Sequence, residues 1–209
     1  MNDFTLDTLL VGVPEVVANM QLPDPDLRDY YRDESNRIYW LDSKIDDSTL
    51  HFVKMIMRYN REDKGKETCE RTPIKLMINS GGGDVQVMLT VIKTMKISKT
   101  PIYTICFSSA MSAAAEILAA GHKRYALPGT CVMVHSGSCS YGGTMEQAES
   151  CKKYVDSLTK KATDEFCSNT NIDAKTLKKK GASDWYMDEN EALERGVIDE
   201  IIMDLDDIF

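Results

Sequence analysis

The chain has 209 residues, with 33 acidic against 25 basic side chains and a formal charge of −8, a balance that argues against nucleic acid as a partner because phosphate binding relies on clustered Lys and Arg. That length is one domain's worth of core; no apolar run approaches the roughly 18 residues that span a bilayer, and Met1-Asn2-Asp3-Phe4-Thr5-Leu6-Asp7 lacks the basic flank of a signal peptide, so a soluble, cytoplasmic protein away from membranes is expected. The six cysteines, Cys69, Cys106, Cys131, Cys139, Cys151 and Cys167, form no C-x-x-C pair, which disfavours a disulfide framework and structural zinc.

In chain order, residues 1–35 carry one apolar stretch, Leu9-Leu10-Val11-Gly12-Val13-Pro14-Glu15-Val16-Val17, and read as a partly flexible amino-terminal segment ahead of a domain over residues 36–209. Residues 37–41 predict a first strand, after which Leu50, Val53, Ile56 and Met57 fall on one helical face beyond an Asp46 or Asp47 cap. Residues 60–72 are charged with little to bury and read as an exposed connection. A strand over 74–78 leads through Ser80-Gly81-Gly82-Gly83 to a helix whose apolar side holds Val85, Met88, Leu89, Ile92 and Met95. A further strand covers 102–106. Such strand-turn-helix repetition indicates an α/β protein with helices packed on a largely parallel sheet.

Next comes Phe107-Ser108-Ser109-Ala110-Met111-Ser112-Ala113-Ala114-Ala115, where β-like sequence gives way to an alanine-rich helix. A serine on such an elbow exposes its Oγ, and the helix start beyond it offers free N–H groups that can stabilise an oxyanion. An imidazole is the base such a hydroxyl needs. His135 ends the apolar strand 131–134 at the mouth of the sheet, whereas His51 and His122 are poorer candidates in surface settings. Among 33 acidic residues, composition does not choose the carboxylate that would orient the ring.

Thr144 and Gln147 form a capping-box pattern, and Met145, Ala148, Val155, Leu158, Ala162 and Phe166 recur at helical spacing over about 144–168. A helix that long either protrudes and needs a partner to cover its stripe or packs into the core, and periodicity alone leaves both open. A short helix closes at Gly181, Asp188 and Glu191 repeat the capping pattern, and Gly196 precedes a last strand over 197–203.

The order glycine loop, serine elbow, strand-ending histidine and acid resembles the Clp protease proteolytic subunit (ClpP) family of serine peptidases. Met77-Ile78-Asn79-Ser80-Gly81-Gly82-Gly83 is similar to the family's I-N-S-P-G-G loop, residues 106–121 to its serine helix, and Leu127-Pro128 with Val132-Met133-Val134-His135 to its L-P-x-x-x-V-M-I-H segment. Asp184-Trp185-Tyr186-Met187, with Glu191-Ala192 and Gly196-Val197-Ile198-Asp199, resembles the stretch bearing its catalytic aspartate, and the likeness runs over about residues 36–203. It implies a crotonase-like spiral of ββα units with a protruding handle helix, and a triad of Ser112, His135 and Asp184. It further implies an oxyanion hole from the Gly83 and Ala113 N–H groups, and a peptide strand held between Gly82, Gly83, Asp84 and Val85 on one side and Ser138 and Cys139 on the other. Residues 1–35 would be the family's axial segment. The implied assembly is a homo-oligomer of stacked heptameric rings, fed with unfolded polypeptide by an AAA+ unfoldase of the ClpX, ClpA or ClpC type. No metal or cofactor is implied, ATP being used by the unfoldase.

The chain departs from the family pattern in places. Gly81 stands where proline is usual, Ala113 replaces a customary methionine, and Ala182-Ser183 occupy positions where many members carry a charged pair. The glycine loop is no phosphate cradle, lacking both the Lys-Ser/Thr of a Walker motif and G-x-G-x-x-G spacing. Two other readings compete with the peptidase: a crotonase-like acyl-CoA enzyme, which would share the oxyanion architecture, and a catalytically degenerate ring subunit paired with an active homologue.

Overall fold

A chain that returns through a helix after each strand lays its strands in parallel, and it must cover both faces of the sheet it builds. The computed structural model describes residues 25–137, 139–140 and 142–208, so the segment 1–24 and Ser138 lie outside the described residues. The helices are α1 (Pro25–Ser35), α2 (Leu50–Glu62), α3 (Val85–Ile97), α4 (Ala113–Ala119), α5 (Met145–Asn169), α6 (Ala174–Lys180) and α7 (Glu189–Glu194). The strands are β1 (Ile38–Leu41), β2 (Ile74–Ser80), β3 (Ile102–Met111), β4 (Lys123–Ala126), β5 (Cys131–Val134), β6 (Trp185–Asp188) and β7 (Glu200–Ile201). The chain divides into two units, residues 1–36 and 37–209. In the first, α1 carries an edge-on pair of rings, Tyr30 and Tyr31.

In the second unit the sheet runs β1-β2-β3-β4-β7, all parallel, and β5 joins the side of β3 while pairing antiparallel with β6. This is the α/β class expected from the sequence. On one face Leu76 and Ile78 of β2 pack beneath α2, α3 and α4; on the other Met77 meets Ile105, Ile202 and Ile208. The small side chains of Ala113, Ala114 and Ala115 let α4 sit close against β3, α3 and α5.

β3 is the organising element. Residues 103–106 pair with β4, residues 109–111 with β5, and the register against β2 slips between Ile78↔Cys106 and Ser80↔Ala110. The expected strand over 102–106 therefore continues through the serine-rich run to Met111, without a break before the elbow.

Other expectations need correction. Met57 is exposed on α2, and the buried face is built from Phe52, Val53, Met55, Ile56 and Tyr59, because the helix is rotated toward its aromatic residues. Residues 60–72 are not simply exposed: α2 runs to Glu62, and Asp63 and Arg71 are buried. The Arg37 guanidinium donates to both Asp63 oxygens at 2.5 and 2.9 Å and to the Thr72 carbonyl, and it lies over the Tyr59 ring. Asp63 also accepts from Lys66 at 3.0 Å and Thr100 at 3.1 Å. A charged stretch can thus be interior when each charge finds its partner. The last strand shrinks to Glu200–Ile201.

α5 divides along its length. Its stripe is buried at Ala162 and Phe166, but Met145 is 83% and Tyr154 56% exposed. No helix among the described residues is long and apolar enough to cross a membrane.

Candidate active site

Ser112 stands where β3 ends and α4 begins, with φ 54° and ψ −125°. Positive φ is unfavourable for a residue with a Cβ, by roughly 1–3 kcal/mol, and persists only where the surroundings impose it. Here its N–H donates to the Met133 carbonyl at 2.7 Å while its own carbonyl accepts from Ala115 at 2.9 Å. One bond belongs to the sheet and the other to the helix, so the elbow cannot relax without breaking one of them.

The strand register brings the other two residues to it. Met111 is paired with Met133 and Val134 with Trp185, so the next positions outward are Ser112 after β3, His135 after β5 and Asp184 before β6. His135 Nε2 lies 2.9 Å from Ser112 Oγ. His135 Nδ1 lies 3.5 Å from Asp184 Oδ1, an ion-pair distance rather than a direct hydrogen bond. The turn after the histidine is held by the Ser136 N–H, which donates to the Gly181 carbonyl at 2.6 Å.

The glycine loop closes over the elbow. A Cβ on Gly82, whose φ is +91°, would stand 2.6 Å from the Met111 carbonyl and 2.8 Å from Ser112 Cβ, so glycine is required there. Gly83 runs so close to Ile45 that a Cβ would lie 2.1 Å from the Ile45 carbonyl oxygen. The Ile45 N–H donates to the Gly82 carbonyl at 3.0 Å and the Ile45 carbonyl accepts from Asp84 at 2.9 Å. This parallel bridge leaves the Gly83 N–H outside the pairing. Ile45, buried and apolar, carried no sign in the sequence that it clamps this loop.

Of the other residues read as peptide contacts, Gly82 and Val85 border the site. Asp84 is occupied: its N–H serves Ile45, its carbonyl accepts from Met88, and its carboxylate caps α3 by accepting from Val87 at 2.9 Å. Cys139 is exposed on the segment beyond His135. His51 lies on the exposed side of α2, and the His122 ring accepts from the Ile102 N–H at 3.1 Å; the structure brings neither to Ser112. Among the described residues no group of three or more His, Cys, Asp or Glu could hold a metal. The Cys106 thiol is pushed up to about 12 by burial, which removes it as a competing nucleophile.

A cavity of about 410 Å³ opens beside Ser112 and His135, walled by Val85 of α3, by Ala162 and Phe166 of α5 and by Leu177 of α6. Glu116, one turn past Ser112 on α4, also lines it. Burial, and then the charge of Glu165, push its carboxyl up to about 7. Sequence reading passed over Glu116, because an acid in the first turn of a helix looks like an ordinary dipole partner.

A family model described as Clp protease matches residues 29–204 of the chain. The ATP-dependent Clp protease proteolytic subunit of Deinococcus radiodurans is 35% identical over 131 residues, a match covering 62% of this chain and 64% of that protein.

Proposed function

This chain belongs to the Clp protease family, and from that premise we propose that it is the proteolytic subunit of a Clp-type protease, a serine endopeptidase acting on unfolded polypeptide. The observation that carries the reading is the 2.9 Å contact between Ser112 Oγ and His135 Nε2 on a backbone held at positive φ. Ser112 attacks the scissile carbonyl while His135 takes its proton, and His135 then returns that proton to the leaving amine. Water, deprotonated by the same imidazole, cleaves the acyl-enzyme and frees Ser112. Asp184 orients the ring and stabilises its cation, closing from 3.5 Å as the charge develops. The Gly83 and Ala113 N–H groups receive the oxyanion.

The subunit works without metal or cofactor, and ATP is consumed by the AAA+ unfoldase that delivers substrate. The exposed apolar side chains Met145 and Tyr154 on the first half of α5 support self-association into stacked rings, and the cytoplasm is the compartment that goes with this reading. A fluorophosphonate probe on the purified protein tests the reading. It is expected to label Ser112 and to lose that labelling in Ser112→Ala and His135→Ala. A probe that still labels the Ser112→Ala protein to the same extent overturns Ser112 as the nucleophile.

A further inference from the structure

The mechanism above makes no use of Glu116, although its side chain reaches the same cavity as the nucleophile. Residues four apart share a helix face, so the carboxyl group faces the space next to Ser112. Its Oε2 is buried and meets no hydrogen-bond partner among the described residues. A buried carboxyl oxygen without a partner is costly to keep.

The charged neighbours do not answer it. Glu165 of α5 is a second acid, already matched by Lys93 and Lys96 of α3. Lys178 of α6 lines the cavity but is itself exposed and forms no ion pair with Glu116. Its charge is screened by solvent, whereas that of the buried carboxylate is not. His135 borders the cavity from the catalytic side, and Thr159 and Thr163 add hydroxyls from α5. The remaining walls are mainly apolar.

A mainly apolar chamber with one buried acid suits a side chain that has an aliphatic stem and a cationic head. On the peptidase reading given above, we propose that this cavity receives the substrate side chain on the acyl side of the scissile bond and that Glu116 selects lysine or arginine there. The cation supplies the partner that the carboxyl group lacks, and the stem covers Val85 and Phe166. Preference for a basic residue over leucine rises as the pH rises through about 7, because the carboxylate must be ionised to attract the head.

Diphenyl phosphonate probes bearing the side chain of lysine, leucine or glutamate report this without needing turnover. Labelling rates at Ser112 are measured in the full chain and in Glu116→Gln and Glu116→Leu between pH 6 and 8.5. The lysine-to-leucine rate ratio is expected to exceed one, to climb with pH, and to fall about tenfold in Glu116→Leu. Taking a ratio cancels any pH effect on the nucleophile that every probe shares. Retained leucine-probe labelling in the variants shows an intact fold. A ratio unchanged in both variants, or fastest labelling by the glutamate probe, overturns the selection by Glu116 while leaving the peptidase standing. If no probe labels Ser112, the nucleophile assignment fails and this inference falls with it.

Discussion

Asp63 and Glu116 are both carboxyl groups withdrawn from water, and the fold treats them in opposite ways. Asp63 is met by Arg37, Lys66 and Thr100, and the Arg37 guanidinium above all holds it well below the usual carboxylate range. It ties the start of β1, the end of α2 and the approach to β3 together. Glu116 Oε2 meets no hydrogen-bond partner among the described residues, and the carboxyl is pushed up to about 7, chiefly by burial. A saturated acid serves architecture; an unsaturated one beside a nucleophile is available to a visitor.

The widest separation between site and scaffold comes from Ser112→Ala. Peptide hydrolysis is expected to fall by about 10⁴-fold or more, with the urea midpoint little changed, because no packing depends on the Oγ. A variant that lost activity and stability together would place Ser112 with the scaffold.

Asp63→Ala should do the reverse, lowering unfolding free energy by about 3–5 kcal/mol because Arg37 is left without its partner. The native carboxyl binds its proton less readily than the unfolded one, so its contribution is complete above the ordinary carboxylate value and fades as pH falls below it. Urea titrations of both proteins at pH 7 and pH 3 are expected to show the gap narrowing in acid.

Glu116→Gln carries the opposite sign. Its native carboxyl holds a proton up to about 7, so ionisation costs stability as pH rises from the ordinary value through that point. The variant is expected to be more stable than the parent at pH 8, by up to about 3 kcal/mol, and equal to it at pH 4. Equal melting temperatures at both pH values would mean that folding does not penalise the ionised Glu116 carboxyl, and a variant less stable than the parent at pH 8 would mean that Glu116 is served as Asp63 is.

Gly82→Ala tests the roof of the site and should cost about 2 kcal/mol along with much of the activity. Gly81→Ala is the control, since a Cβ there meets nothing within 4 Å. The smallest effect belongs to Lys152→Ala, whose ion pair with Asp156 is 61% exposed on both sides, and which should shift stability by less than about 0.5 kcal/mol.

The strand-turn-helix alternation, the elbow at Ser112 and the strand-ending His135 were legible because each is a local pattern: apolar periodicity, small residues at a helix start, a histidine closing a buried run. Asp184 stands out among the acids only through family resemblance, since the opposition of β5 and β6 that carries it to His135 is a long-range register. The interior position of Asp63 was hidden for the same reason, its partner Arg37 lying 26 residues away. Glu116 escaped notice because polarity in a sequence does not say which acids will end up paired. The close approach of Ile45 to Gly83 left no trace either, being a backbone contact that a buried apolar side chain does not announce.

The change of partner partway along β3 has a thermal consequence. Below it, residues 103–106 are sandwiched between β2 and β4; above it, residues 109–111 pair with β5, whose antiparallel neighbour is β6, the two strands next to His135 and Asp184. Separating the β5–β6 pair from the end of β3 takes less free energy than unfolding the whole sheet, as local opening does in general. On the proposed function, warming should abolish peptide hydrolysis before the chain melts, and cooling from that interval should restore it.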